Sequence, residues 1–182
     1  MKNQIILSFL VLGTSLFSYI PSVHGEPADI FKPVLGDLQK QLPPGLTMRL
    51  PSYIPPSEDT PMYPFVESDD KGVRVNIGIR PDCSSSKKPQ LCIIGAIAAL
   101  KPGSVKSFPP KGDNLTEVNL DNGVRGFFFT RGQGEAQVSY IIWEQDKQKF
   151  AIAAFSQITS QEELTRIAKS ATTEKPITSA SQ

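Results

Sequence analysis

The sequence predicts an α+β protein: one antiparallel sheet of about six strands, with an N-terminal and a C-terminal helix packed on one of its faces. Three observations predict it. Two stretches with helical spacing of apolar residues stand near the ends of the chain, at 28–42 and after Ser160. Between them, from residue 73 to 155, alternating or continuous runs of β-branched and aromatic residues recur. Short turn signatures separate the later runs, so they read as a meander, which is antiparallel by construction.

In the first helix Ile30, Phe31, Val34, Leu35, Leu38 and Leu42 keep the helical period, Asp29 is placed to cap the start, and Pro43-Pro44-Gly45 stops it. Its apolar stripe is expected in the core; a partner-binding helix is the alternative. Seven prolines follow within residues 43–64, which forbids a central strand there. The alternating Leu46–Leu50 is expected as an edge strand, and Tyr53, Ile54, Tyr63 and Phe65 as points along an ordered extended connection. Val73 to Arg80 alternates strictly, with Arg74, Asn76 and Arg80 facing outward. Leu91 to Leu100 is almost wholly apolar, as in a strand covered on both faces. Residues 101–115 form a loop. Strands 116–120 and 124–130 meet at Asp121-Asn122-Gly123, whose Asn and Gly tolerate positive φ. Strands 136–144 and 150–155 meet at Gln145–Gln148. Ser160 and Glu163 then have capping-box spacing ahead of Leu164, Ile167, Ala168 and Ala171. Residues 173–182 are expected as a disordered tail, which leaves 26–172 as a single domain.

Residues 1–25 read as a secretory signal peptide. Lys2 is their only charge, Ile5 to Leu12 is apolar except for Ser8, Pro21 breaks the run, and Val23-His24-Gly25 suits cleavage before Glu26. The run is short and diluted for a membrane span, so no stable anchor is expected after cleavage. Removing 25 of the 182 residues leaves 157, with 18 basic against 18 acidic side chains, which makes nucleic acid an unsuitable partner. It also removes His24, the only histidine. A chain without imidazole has no Ser-His-Asp or Cys-His set and no histidine-ligated zinc. Cys83 and Cys92 are the only cysteines. In an exported protein such a pair is expected as a disulfide, and the alternative redox pair normally has C-x-x-C spacing. The expected destination is the periplasm, the thylakoid lumen or the extracellular space.

No catalytic constellation assembles in the sequence. Ser84-Ser-Ser-Lys87 matches S-x-x-K but lies in the cysteine loop without its companion motifs. The carboxylate pairs Glu58-Asp59, Asp69-Asp70 and Glu162-Glu163 are adjacent in the chain, not opposed across a cleft. A hydrolase using carboxylates alone would need two facing acids with shifted pKa values. No metal site, cofactor motif or Walker loop is present, and Asn114-Leu-Thr116 is a glycosylation sequon. Phe127-Phe128-Phe129 must point to both faces of a strand. Phe127, Phe129, Tyr140 and Trp143 are therefore candidates either for core packing or for an apolar ligand or partner groove.

Residues 116–171 resemble the end of a poorly characterised family of secreted bacterial envelope domains. The shared features are Ile142-Trp143, Phe150-Ala-Ile152, Ser160-Gln-Glu-Glu-Leu164 and Ile167-Ala-Lys-Ser170. With Leu50-Pro-Ser-Tyr-Ile-Pro55, the whole is similar to small exported cyanobacterial proteins. The resemblance implies a non-enzymatic envelope module and assigns no catalytic residue. The expected function is thus non-catalytic binding of an envelope protein or other ligand, with carriage of an apolar small molecule or lipid as the alternative.

Overall fold

The computed structural model describes residues 25–56, 60–105, 107–109, 111 and 114–180. The signal segment through His24 and the Glu58-Asp59 pair lie outside them. Seven strands form one antiparallel sheet: β1 (Tyr63–Ser68), β2 (Gly72–Gly78), β3 (Ile93–Leu100), β4 (Thr116–Leu120), β5 (Val124–Arg131), β6 (Val138–Gln145) and β7 (Gln148–Phe155). Their order is β1-β2-β3-β7-β6-β5-β4. The α+β class and the antiparallel sheet stand, but with seven strands rather than about six.

The extra strand is β1. Pro64 is tolerated there because β1 is an edge, pairing only with β2. Leu46–Leu50, expected as the edge strand, joins no sheet. Its alternation is real: Leu46, Met48 and Leu50 are buried. Its one ladder contact is a bridge to Ile177, with Met48 N–H donating to Ile177 O at 2.9 Å and Ile177 N–H to Met48 O at 2.7 Å. That bridge also corrects the expected loose tail. Residues 174–180 lie against the body, and Ala180 N–H donates to Gln39 O at 3.1 Å.

Cross-strand register sorts the core-facing residues into three rows. The first is Val73–Ala99–Phe150–Trp143–Gly126–Val118. The second is Val75–Ile97–Ile152–Ile141–Phe128–Thr116, and the third Ile77–Gly95–Ala154–Ser139–Thr130. The first two rows carry most of the large side chains, with Ala99 and Gly126 as small members; the third has only Ile77, beside glycine, alanine and hydroxyls. The buried cluster joins the first two rows to Phe31, Val34 and Leu38 near the N-terminus and to Leu164, Ile167, Ala168 and Ala171 near the C-terminus. β3 was expected to be covered on both faces, but only Ile97 and Ala99 are buried. Ala96 and Ala98 on its other face are small enough to remain part-exposed without a covering layer.

The first helix also departs from expectation. Asp29–Val34 is a 3-10 segment, and only α1 (Leu35–Gln41) is α-helical. Pro33 lacks the N–H that an α-turn would use. Asp29 makes no capping bond and instead pairs with Lys32 at 2.7 Å. The second helix, α2 (Gln161–Thr173), starts as its cap predicts, Glu163 N–H donating to Ser160 Oγ at 3.1 Å. The return half of the capping box is missing, because the Glu163 carboxylate is taken by Tyr53.

Cys83 and Cys92 are disulfide-bonded, their Cα atoms 5.9 Å apart, and close the β2–β3 hairpin at the end where Gly78 pairs with Ile93. At the opposite end Asp69 shapes the β1–β2 turn. Its carboxylate accepts from Lys71 N–H at 2.8 Å and Gly72 N–H at 3.1 Å. Gly72 is required there, since a Cβ would sit 2.1 Å from Ala99 O. The β6–β7 turn holds Asp146 and Lys147 at positive φ, and Arg49 Nη2 grips Asp146 at 2.7 Å.

Candidate functional site

The depleted third row leaves a hollow. Gly95 pairs with Ala154 and Ala96 with Ala153, so the sheet is thin where β3 meets β7. Above this floor stand Leu164 and Ile167 of α2. One wall is Ile54-Pro55-Pro56, Thr60 and Met62 of the proline-rich strap, and the other includes Ile158 and Thr159 of the β7–α2 turn. The cleft, open on one side, has a volume of about 510 Å³, within the range of small-molecule sites. Among the described residues the lining is apolar apart from backbone and the hydroxyls of Thr60 and Thr159, and none of them brings a charged side chain. At the mouth Ile79 is 36% and Ile158 58% exposed. Apolar side chains so placed offer an entering molecule dry contact from the rim inward.

A polar latch holds the strap over this cleft. Tyr53 Oη donates to Glu163 Oε1 at 2.6 Å and accepts from Arg166 Nη1 at 3.1 Å. The Arg166 guanidinium lies 3.8 Å from the Tyr53 ring centroid, and Tyr53 N–H donates to Ser170 Oγ at 3.2 Å. The Glu163 carboxylate beside the phenol holds the Tyr53 pKa above its ordinary value, with desolvation adding to the effect. The latch therefore persists through the neutral range.

The four aromatic candidates do not form one group. Phe129 and Tyr140 stack on the sheet face opposite the core, ring centroids 5.1 Å apart, with the Arg131 guanidinium 5.1 Å from the Phe129 ring. Phe127 shares that face and meets Phe108 edge-on at 5.5 Å. Phe128 points inward. Trp143 lies on the core face, fully buried and stacked on Phe150 at 5.4 Å. None of the four lines the cleft. A shallower hollow of about 190 Å³ lies along Ile93–Ala96, Val138 and Ala153–Phe155, so the thin stretch of sheet is indented a second time.

The remaining polar candidates have structural partners. Asp69 is also bound to Arg74 at 2.9 Å, and its two backbone donors hold its carboxyl below the usual range. Among the described residues no cluster of His, Cys, Asp and Glu is arranged to hold a metal. No helix among them is long and apolar enough to cross a membrane. Missed at the level of sequence were the cleft itself, the Tyr53 latch and a buried polar group around Arg49 and Glu174, all built from residues distant in the chain. Comparison of the chain with protein-family models, curated proteins and solved structures gives no match.

Proposed function

We propose that the protein is an exported, non-catalytic binding module that takes up an apolar small molecule or a lipid chain in the cleft between the proline-rich strap and the β3–β7 floor. The observation that carries this reading is a ligand-sized hollow of about 510 Å³ whose described lining and rim are mostly apolar. A hollow of that kind gains free energy by excluding water from an apolar guest, while Thr60 and Thr159 supply at most an orienting hydroxyl contact. Export to the periplasm, a lumen or the extracellular space is supported by the signal-like residues 1–25 and by the buried Cys83–Cys92 bridge.

The test is extraction of the protein from its native envelope, mass spectrometry of what it carries, and titration of the stripped protein with N-phenyl-1-naphthylamine. Saturable uptake of one probe per chain, displaced by the extracted molecule, is expected. A preparation that carries nothing apolar and takes up no probe overturns the reading. A second reading is favoured by the half-buried Phe127 and Tyr140 on the outer sheet face, with Phe129 buried beneath them: an envelope protein docks there. In that case Phe127→Ser with Tyr140→Ser abolishes its co-purification and leaves probe uptake intact.

A further inference from the structure

We propose that Glu174 is the docking site for the α-ammonium group that leader cleavage creates at Glu26; this rests on the reading of residues 1–25 as a signal peptide. Glu174 follows α2 and is 2% exposed, and its Oε2 has no hydrogen-bond partner. Among the described residues no cation pairs with its carboxylate. Arg49 does not do so: its Nη1 donates to the Glu174 backbone carbonyl and its Nη2 to Asp146. A buried carboxylate without a counter-ion is costly in a low-dielectric interior.

The group lying against that carboxylate is Gly25. A Cβ built on Gly25 would sit 2.8 Å from Glu174 Oε1 and 3.4 Å from Ser52 Cβ. The segment is tethered there by Ala28 N–H, which donates to Pro51 O at 2.9 Å. The expected scissile bond is the one that follows this glycine. A leader protease hydrolyses it with one water: the hydroxyl goes to the Gly25 carbonyl carbon, and the proton goes to the Glu26 nitrogen. That nitrogen is then a primary amine, protonated at neutral pH. Gly25 departs, and the new ammonium faces the space it vacated beside Glu174.

The remaining charges nearby do not compete for this role. Asp146 is already paired with Arg49, and Glu26 and Lys175 are exposed side chains at the two chain segments that the new ion pair would join. Processing thus completes the fold. In the leader-bearing chain no described residue compensates the buried carboxylate, and the processed chain clips its first residue to the segment after its last helix.

The test compares the chain beginning at Glu26 with one retaining Ser22–Gly25 ahead of it, each with Glu174 and with Glu174→Gln. With Glu174 present, the extension is expected to lower Tm by roughly 4 °C or more. In the Glu174→Gln background the extension changes Tm little, because no carboxylate is left stranded. An equal shift in both backgrounds, or in neither, overturns the proposal. A measurement without variants stands beside it: acylation of the α-amine of the processed chain at neutral pH, native against urea-unfolded. Slowing by about tenfold or more in the native state is expected, and equal rates overturn the proposal. A native N-terminus elsewhere than Glu26 also overturns it while leaving the apolar cleft untouched.

Discussion

Ala154→Leu tests whether the cleft is open space. Ala154 is 9% exposed, lies in the depleted third row between Gly95 and Ser139, and lines the cleft. Leucine adds three carbons there. At about 0.8 kcal/mol per buried carbon the gain approaches ~2.4 kcal/mol. Ordering the side chain takes back about 0.5–1 kcal/mol, which leaves a net stabilisation of ~1.5 kcal/mol. For a domain of this size that raises Tm by roughly 3–6 °C. The same side chain occupies the floor of the site, so probe uptake falls. The assay pairs thermal denaturation followed by circular dichroism with N-phenyl-1-naphthylamine titration. Were the space already filled, overpacking would cost about 1–3 kcal/mol and Tm would drop. A lowered Tm with undiminished uptake refutes the placement of the ligand.

Other outcomes follow from the same contacts. Reduction of Cys83–Cys92, or Cys83→Ala with Cys92→Ala, is expected to cost about 2–3 kcal/mol for a loop of this length, read as a lower urea midpoint. Arg49→Met strands the Glu174 carbonyl and frees Asp146 to water, so a loss of about 1–3 kcal/mol is expected. Arg49→Lys should recover only part of that loss, because lysine cannot reach two partners as a planar fork does. Tyr53→Phe removes the two hydroxyl bonds of the latch and leaves its backbone bond to Ser170, and stopped-flow release of the probe should become faster. Asp69 has a folded pKa below its unfolded value, so its stabilisation is present above about pH 4 and is lost as pH falls through the folded pKa. Asp69→Asn should therefore flatten the acid limb of a Tm–pH curve and leave its slope above pH 5 unchanged.

What the sequence made legible was local. The α2 start shows in Ser160 because its hydroxyl bonds an amide three residues on, and the β6–β7 hairpin shows in the alternation on either side of Asp146-Lys147. The parity of Phe127–Phe129 foretells that one phenylalanine faces away from its neighbours. What was not legible depends on alignment between distant segments. β1 was hidden by Pro64, which matters little on an edge, and the order of residues 174–180 comes from Ile177 meeting Met48. The cleft arises because Gly95, Ala154 and Ser139 fall side by side in three strands. Each is ordinary alone, and only the register turns them into a hollow. The Glu174 site likewise needs Gly25 and Glu174 brought together across almost the whole chain.

The sheet is two local meanders sewn along a single seam. β1–β3 and β4–β7 each fold back on themselves through successive turns, whereas the seam joins Gly95 to Ala154 across 59 residues. Closing so long a loop has a large entropic barrier, so the seam is expected to form late in folding and to part early in unfolding. The floor of the cleft straddles it. A molecule lodged there would touch both meanders like a rivet, so its binding would be expected to slow the parting of the two halves.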